Sequence, residues 1–215
     1  SEVHDRRLAR QVATWIGEHP ELRDGERADL LWSASRLCPP ENLPSEVEER
    51  LRTGLEELDP GVQIVAHAAL QRADGDRESL ELLDRRLQAA VEGEDALARR
   101  AARRELGRLL EGQADDAFDG RLHALASLLA DAALRSETAE TLAEIARRHG
   151  PRAGVVAEAV LVLASDREPR TRAAAMAAVI ALLSIAAPAL LVVFTPSLAM
   201  AQEEEEKRKV IIMPV

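Results

Sequence analysis

Aromatic residues are nearly absent from the chain, which has two Trp, two Phe and no Tyr among 215 residues. A core packed to normal density must therefore be built from Leu, Ala, Val and Ile. With one cysteine, Cys38, an internal disulfide is excluded. The five histidines, His4, His19, His67, His123 and His149, are scattered, and no His-x-x-x-His, Cys-x-x-Cys or Gly-rich phosphate loop occurs. That removes the common sequence signatures of zinc and nucleotide chemistry, and an enzyme is not expected. No cofactor is expected either. A formal net charge of −10 makes duplex nucleic acid and anionic headgroups poor partners for the surface as a whole. The first residues do not read as a signal peptide, so none is expected; Ser1 at the start and the strand-like Lys209 to Val215 at the end suggest a piece of a longer protein with a further domain beyond.

One more absence is local. The 30 residues from Ala173 to Gln202 carry no Asp, Glu, Lys, Arg or His. The first 22, 173–194, would make a helix of about 33 Å, enough for a hydrocarbon core of about 30 Å. We therefore expect a single transmembrane helix there. Arg167, Arg170 and Arg172 precede it and four Glu residues, 203–206, follow it, which places the N-terminal region on the cytoplasmic side of a bacterial-type inner membrane. A small-residue stripe (Ala173, Ala177, Ala181, Ser184) would suit homodimerisation through that helix. Two other readings stand beside it: a signal-like segment cut after Ala201, and a buried helix of a soluble domain, which nine alanines and Pro188 allow. The expected organisation is a helical domain over 1–165, a basic segment 166–172, the span 173–194, and an exported linker 195–215.

What the chain does have is an internal repeat. Val62-Gln63, Ala66 and Leu70 return as Ala98-Arg99, Ala102 and Leu106, and again as Leu134-Arg135, Thr138 and Leu142, each step being 36 residues. Weaker copies start at Glu26-Arg27 and Thr171-Arg172. In the three central copies an Asp (Asp59, Asp95, Asp131) stands three residues ahead, a helix N-cap position, and Glu168 takes that place in the last. Other segments with apolar residues at helical spacing lie between: 5–17, 44–58, 77–91, 118–129 and 151–164. Pro39-Pro40, Asp59-Pro60-Gly61, Asp74-Gly75, Glu92-Gly93 and Gly150-Pro151 mark turns. The expected fold is all-α: five helical hairpins stacked as a short α-solenoid, followed by the transmembrane helix. A generic antiparallel helical bundle is the alternative.

At Asp95, Ala98, Arg99, Ala102 and Leu106 the chain resembles the HEAT family, including the HEAT-like repeats of phycobilisome lyases. The resemblance covers about Asp24 to Leu142 and departs at Gln63, where an Arg is usual. It implies a ladder of Asp and Arg between successive repeats, here Asp59, Asp95 with Arg99, and Asp131 with Arg135. Fold resemblance alone would also allow a bilin-lyase-like enzyme, but it does not fix function.

Arg99, Arg100, Arg103 and Arg104 offer a candidate groove for an acidic protein partner, or else a solvated face balanced by Glu94, Asp95 and Glu105. His67, between Ala66 and Ala68, reads as a satisfied core or groove histidine. Asp115, Asp116 and Asp119 lack the spacing of a calcium loop. The leading functional expectation is a membrane-tethered protein–protein interaction scaffold; a transmembrane regulator of anti-sigma type and a soluble helical-repeat binding module are the alternatives.

Overall fold

A computed structural model of the chain describes residues 2–75, 77–112, 115–149 and 157–180. These residues are helical with no strand among them, and they fall into two compact units, Ser1–Thr138 and Ala139–Val215.

The first unit holds α1 (Glu2–Glu18), α2 (Asp24–Arg36), α3 (Ser45–Glu56), α4 (Pro60–Asp74), α5 (Arg77–Glu92), α6 (Ala96–Glu111), α7 (Phe118–Ser127) and the beginning of α8 (Arg135–His149). Helices α1/α2, α3/α4 and α5/α6 form successive hairpins, in the segments where the sequence periodicity places them. The second helices α2, α4 and α6 pack side by side as one layer; α1 lies on α3 and α5 on α7.

Burial patterns explain the two roles. The first helices bury a single stripe, as in Val47, Leu51 and Gly54 of α3 or Leu83, Leu87 and Ala90 of α5, the spacing of one helix face. Helix α4 has neighbours on several sides and buries Val62, Ile64, Val65, Ala66, Ala68 and Ala69 almost completely. Alanine is frequent here because a helix between two others must let their backbones approach. Gly61 takes this furthest, since a Cβ there would lie 2.8 Å from Leu97 Cγ of α6.

Each hairpin turn is fixed by short-range chemistry. The Asp59 carboxylate accepts from Val62 N at 2.9 Å, with Pro60 at the first helical position. Asp95 accepts from Leu97 N and Ala98 N, and Asp131 from Ala133 N. Gly75 ends α4 at φ 66°, the left-handed region open to glycine, and donates its N–H to Gln71 O at 2.8 Å.

The second unit contains the remainder of α8, a short α9 (Ala157–Val162) and helical residues 169–180. Here the sequence expectation is corrected. Among the described residues no helix is long and apolar enough to cross a membrane. Residues 181–194 of the expected span lie outside the described residues, as does the whole linker 195–215. The part that is described, 173–180, buries Ala174, Ala175 and Ala178, next to buried Thr171, while Met176 and Ile180 are exposed. A one-sided seam of small residues is the mark of a helix packed on a neighbour. Arg172 donates to the carbonyls of Asp166 and Arg167, both at 2.9 Å, and Arg170 grips Glu140 at 2.6 and 3.1 Å, so two of the three arginines read as topology signals hold the local fold; Arg167 is exposed.

Candidate partner-binding surface

The repeat position occupied by Arg27, Gln63, Arg99, Arg135 and Arg172 does one thing in every copy. Its side chain reaches back to a backbone carbonyl of the turn before its own helix. Gln63 donates to Glu57 O at 2.5 Å, Arg99 to Gly93 O at 3.4 Å, Arg135 to Leu129 O at 2.8 Å and Arg172 to Asp166 O at 2.9 Å, each six residues back. Arg27 donates to Pro20 O and Leu22 O at 3.2 Å. These carbonyls lie at chain reversals where no helical N–H can reach them, so the side chain supplies the missing donor.

Of the ladder residues named from the sequence, Asp95 and Arg99 belong to one hairpin and Asp131 and Arg135 to the next. Asp95 caps its own helix. Arg99 instead faces Asp131 of the next hairpin, Nε to Oδ2 3.1 Å, and Arg27 faces Glu57, 2.7 Å. Gln63 itself brings no charge to this position. Asp59 lies beside that gap, and burial, with Asp95 and Asp24 adding repulsion, pushes its carboxyl above the usual range. A cavity of about 250 Å³ opens there, lined by Gln63, Ile64, Arg86, Ala90, Asp95 and Ala98 among others.

The four arginines of the expected groove are held within the first unit. Arg99 has Asp131, Arg103 has Glu137 at 2.7 Å, and Arg100 (3.6 Å) and Arg104 share Asp29. The partners are thus Asp29, Asp131 and Glu137 from other hairpins, not the neighbouring Glu94, Asp95 and Glu105. Glu105 points inward and is 1% exposed.

Around Glu105 lies a cluster that the sequence reading passed over. Arg36, Arg72 and Arg108 recur at the 36-residue step and close the last turns of α2, α4 and α6. Arg108 Nε donates to Glu105 Oε2 at 2.7 Å, and Arg72 Nη1 is 3.8 Å from the same oxygen. Arg72 Nη2 donates to Ser35 Oγ at 2.9 Å, and Ser35 Oγ donates to Trp32 O. Trp32 carries two guanidiniums, Arg36 at 5.3 Å and Arg104 at 5.2 Å from its ring centroid. Arg72 is pushed down to about 10: burial is the main cause, Glu105 opposes it, and Arg108 and Arg36 add repulsion. Arg72 Nη1 and Arg108 Nη2 are buried without a hydrogen-bond partner.

Other candidates resolve into packing. His67 is 6% exposed, with Nε2 3.0 Å from Ser79 Oγ and Nδ1 unpartnered; burial first, then Arg86, lowers its pKa. Asp115 and Asp84 both bind Arg121, which joins α7 to α5. Among the described residues no group of His, Cys, Asp and Glu could hold a metal ion. No family model, curated protein or solved structure matches this chain.

Proposed function

We propose that the chain is a non-enzymatic protein-interaction scaffold of HEAT-like helical hairpins, whose layer of second helices, α2, α4 and α6, receives the partner. The observation that carries this reading is the convergence of Arg36, Arg72, Arg108 and Trp32 at one end of that layer. Arginine and tryptophan are the residues that most often dominate interface energies. Stacked repeats commonly offer such a layer as an extended binding surface. The α-helical hairpins hold the site on rigid elements, so the partner meets a preorganised surface.

The test is site-specific photo-crosslinking in cells, with the reactive group placed at Ser33, one turn before Arg36, or at Leu58, an exposed loop position. The scaffold reading expects one recurrent protein adduct from position 33, absent from position 58 and lost when Arg36→Glu is added. Equal adducts from both positions, or none from 33, would reject it.

A further inference from the structure

The scaffold reading leaves the chemistry of the partner open, and the charge distribution around Glu105 narrows it. Five guanidiniums, those of Arg36, Arg72, Arg100, Arg104 and Arg108, gather about two carboxylates, Asp29 and Glu105. Asp29 is shared by Arg100 and Arg104, and Glu105 by Arg72 and Arg108. Arg36 is exposed and rests on the Trp32 ring, with no carboxylate partner among the described residues. A chain with ten surplus acidic charges nonetheless leaves this place short of anions.

Complementing a helix dipole accounts for one cation at each helix end, an effect of about 0.3–1 kcal/mol at exposed ends. It does not account for bringing three such ends together and burying two of them around one acid. Arg72 and Arg108 side chains are 14% and 18% exposed, and each keeps a donor atom with no acceptor. The cluster thus offers more donors than Glu105 and Ser35 take up, which suits a further acid. A guanidinium fork matches a carboxylate in two parallel bonds, and Trp32 supplies an adjacent apolar plate.

We infer that the Arg36–Arg72–Arg108 stack is a docking site for a carboxylate-rich peptide segment of a partner protein, entered past Arg36 and Trp32. The inference rests on the scaffold reading and adds the partner's chemical class. A long polyanion such as a nucleic acid is disfavoured, because the chain as a whole carries ten surplus acidic charges. An acidic side chain on a flexible segment needs only that local cluster.

The test uses the full chain and fluorescein-labelled hexaglutamate, with hexalysine and a phosphoserine peptide for comparison, followed by anisotropy at low salt. Hexaglutamate is expected to bind, to weaken steeply with added salt, and to lose about tenfold in affinity in Arg36→Glu and in Arg108→Gln. Arg7→Glu, which makes the same charge change as Arg36→Glu on exposed α1, should leave binding nearly unchanged. Trp32 emission, read in a Trp15→Phe background, should change on binding even if Arg108→Gln proves unstable. No hexaglutamate binding, equal losses from Arg7→Glu and Arg36→Glu, or tighter binding of the phosphoserine peptide that ignores Arg36→Glu would overturn the inference. If hexaglutamate fails while the position-33 adduct persists, the acidic class is wrong and the scaffold stands; if both fail, the scaffold reading falls with it.

Discussion

Glu105 and Arg72 sit 3.8 Å apart, one on α6 and the other on α4, with side chains only 1% and 14% exposed. Two helices of different hairpins thus share a charge pair that bulk water barely screens. Arg108, one turn along α6 from Glu105, holds the same carboxylate at 2.7 Å.

Removing the acid leaves two buried cations uncompensated, which is worse than never having had the pair. Glu105→Gln is expected to cost about 3 kcal/mol in urea unfolding. Combining Glu105→Leu with Arg72→Met and Arg108→Met should recover most of that loss. A triple variant no more stable than Glu105→Gln would contradict this.

Gly61 lies where α4 meets α6, and a Cβ would come within 3.1 Å of the Leu97 backbone carbon, which cannot yield as a flexible side chain can. Gly61→Ala should lower stability by about 1–3 kcal/mol despite alanine's better helix propensity. A thermal midpoint equal to or above that of the parent would disprove the close approach.

The Gln63 gap predicts a gain. Gln63→Arg would place a cation near Asp59 and Asp95 while keeping the carbonyl of Glu57 within reach. An increase of about 0.5–1 kcal/mol is expected, and it should shrink at high salt. No change at low salt would mean that the ladder is not what the arginine position contributes.

His67 gives the chain a specific acid sensitivity. Its folded pKa is depressed below the ordinary histidine value of about 6.5, chiefly by burial and then by Arg86. Between the two pKa values the unfolded chain binds more protons than the folded one, so stability falls as pH drops below about 6.5. The thermal midpoint should decline from pH 7 to 5.5, and His67→Gln should flatten that decline. Ser79 and Arg86 are the polar groups that face the ring.

The hairpins could be read from the chain because their signals are local: Asp59, Asp95 and Asp131 announce helix starts, and Gly75 a helix end. The 36-residue step was equally visible, but it was read at Arg99 and Arg135 and not at Arg36, Arg72 and Arg108. Spacing reveals that positions are equivalent without telling which face they share. Which residue meets which across hairpins, such as Arg99 and Asp131, likewise follows from packing and not from spacing. The charge-free window misled because apolar, alanine-rich composition suits both a bilayer and a tightly packed helix. Burial of Ala174, Ala175 and Ala178 with Met176 and Ile180 left exposed separates the two for residues 173–180, and no sequence pattern encodes that asymmetry.

Hydrogen exchange of the full chain with and without hexaglutamate tests the central claim most directly. The account predicts added protection confined to the last turns of α2, α4 and α6, around Arg36, Arg72 and Arg108, and abolished by Arg36→Glu. Protection spread over α1, α3 and α5, or no change in those three turns, would contradict it.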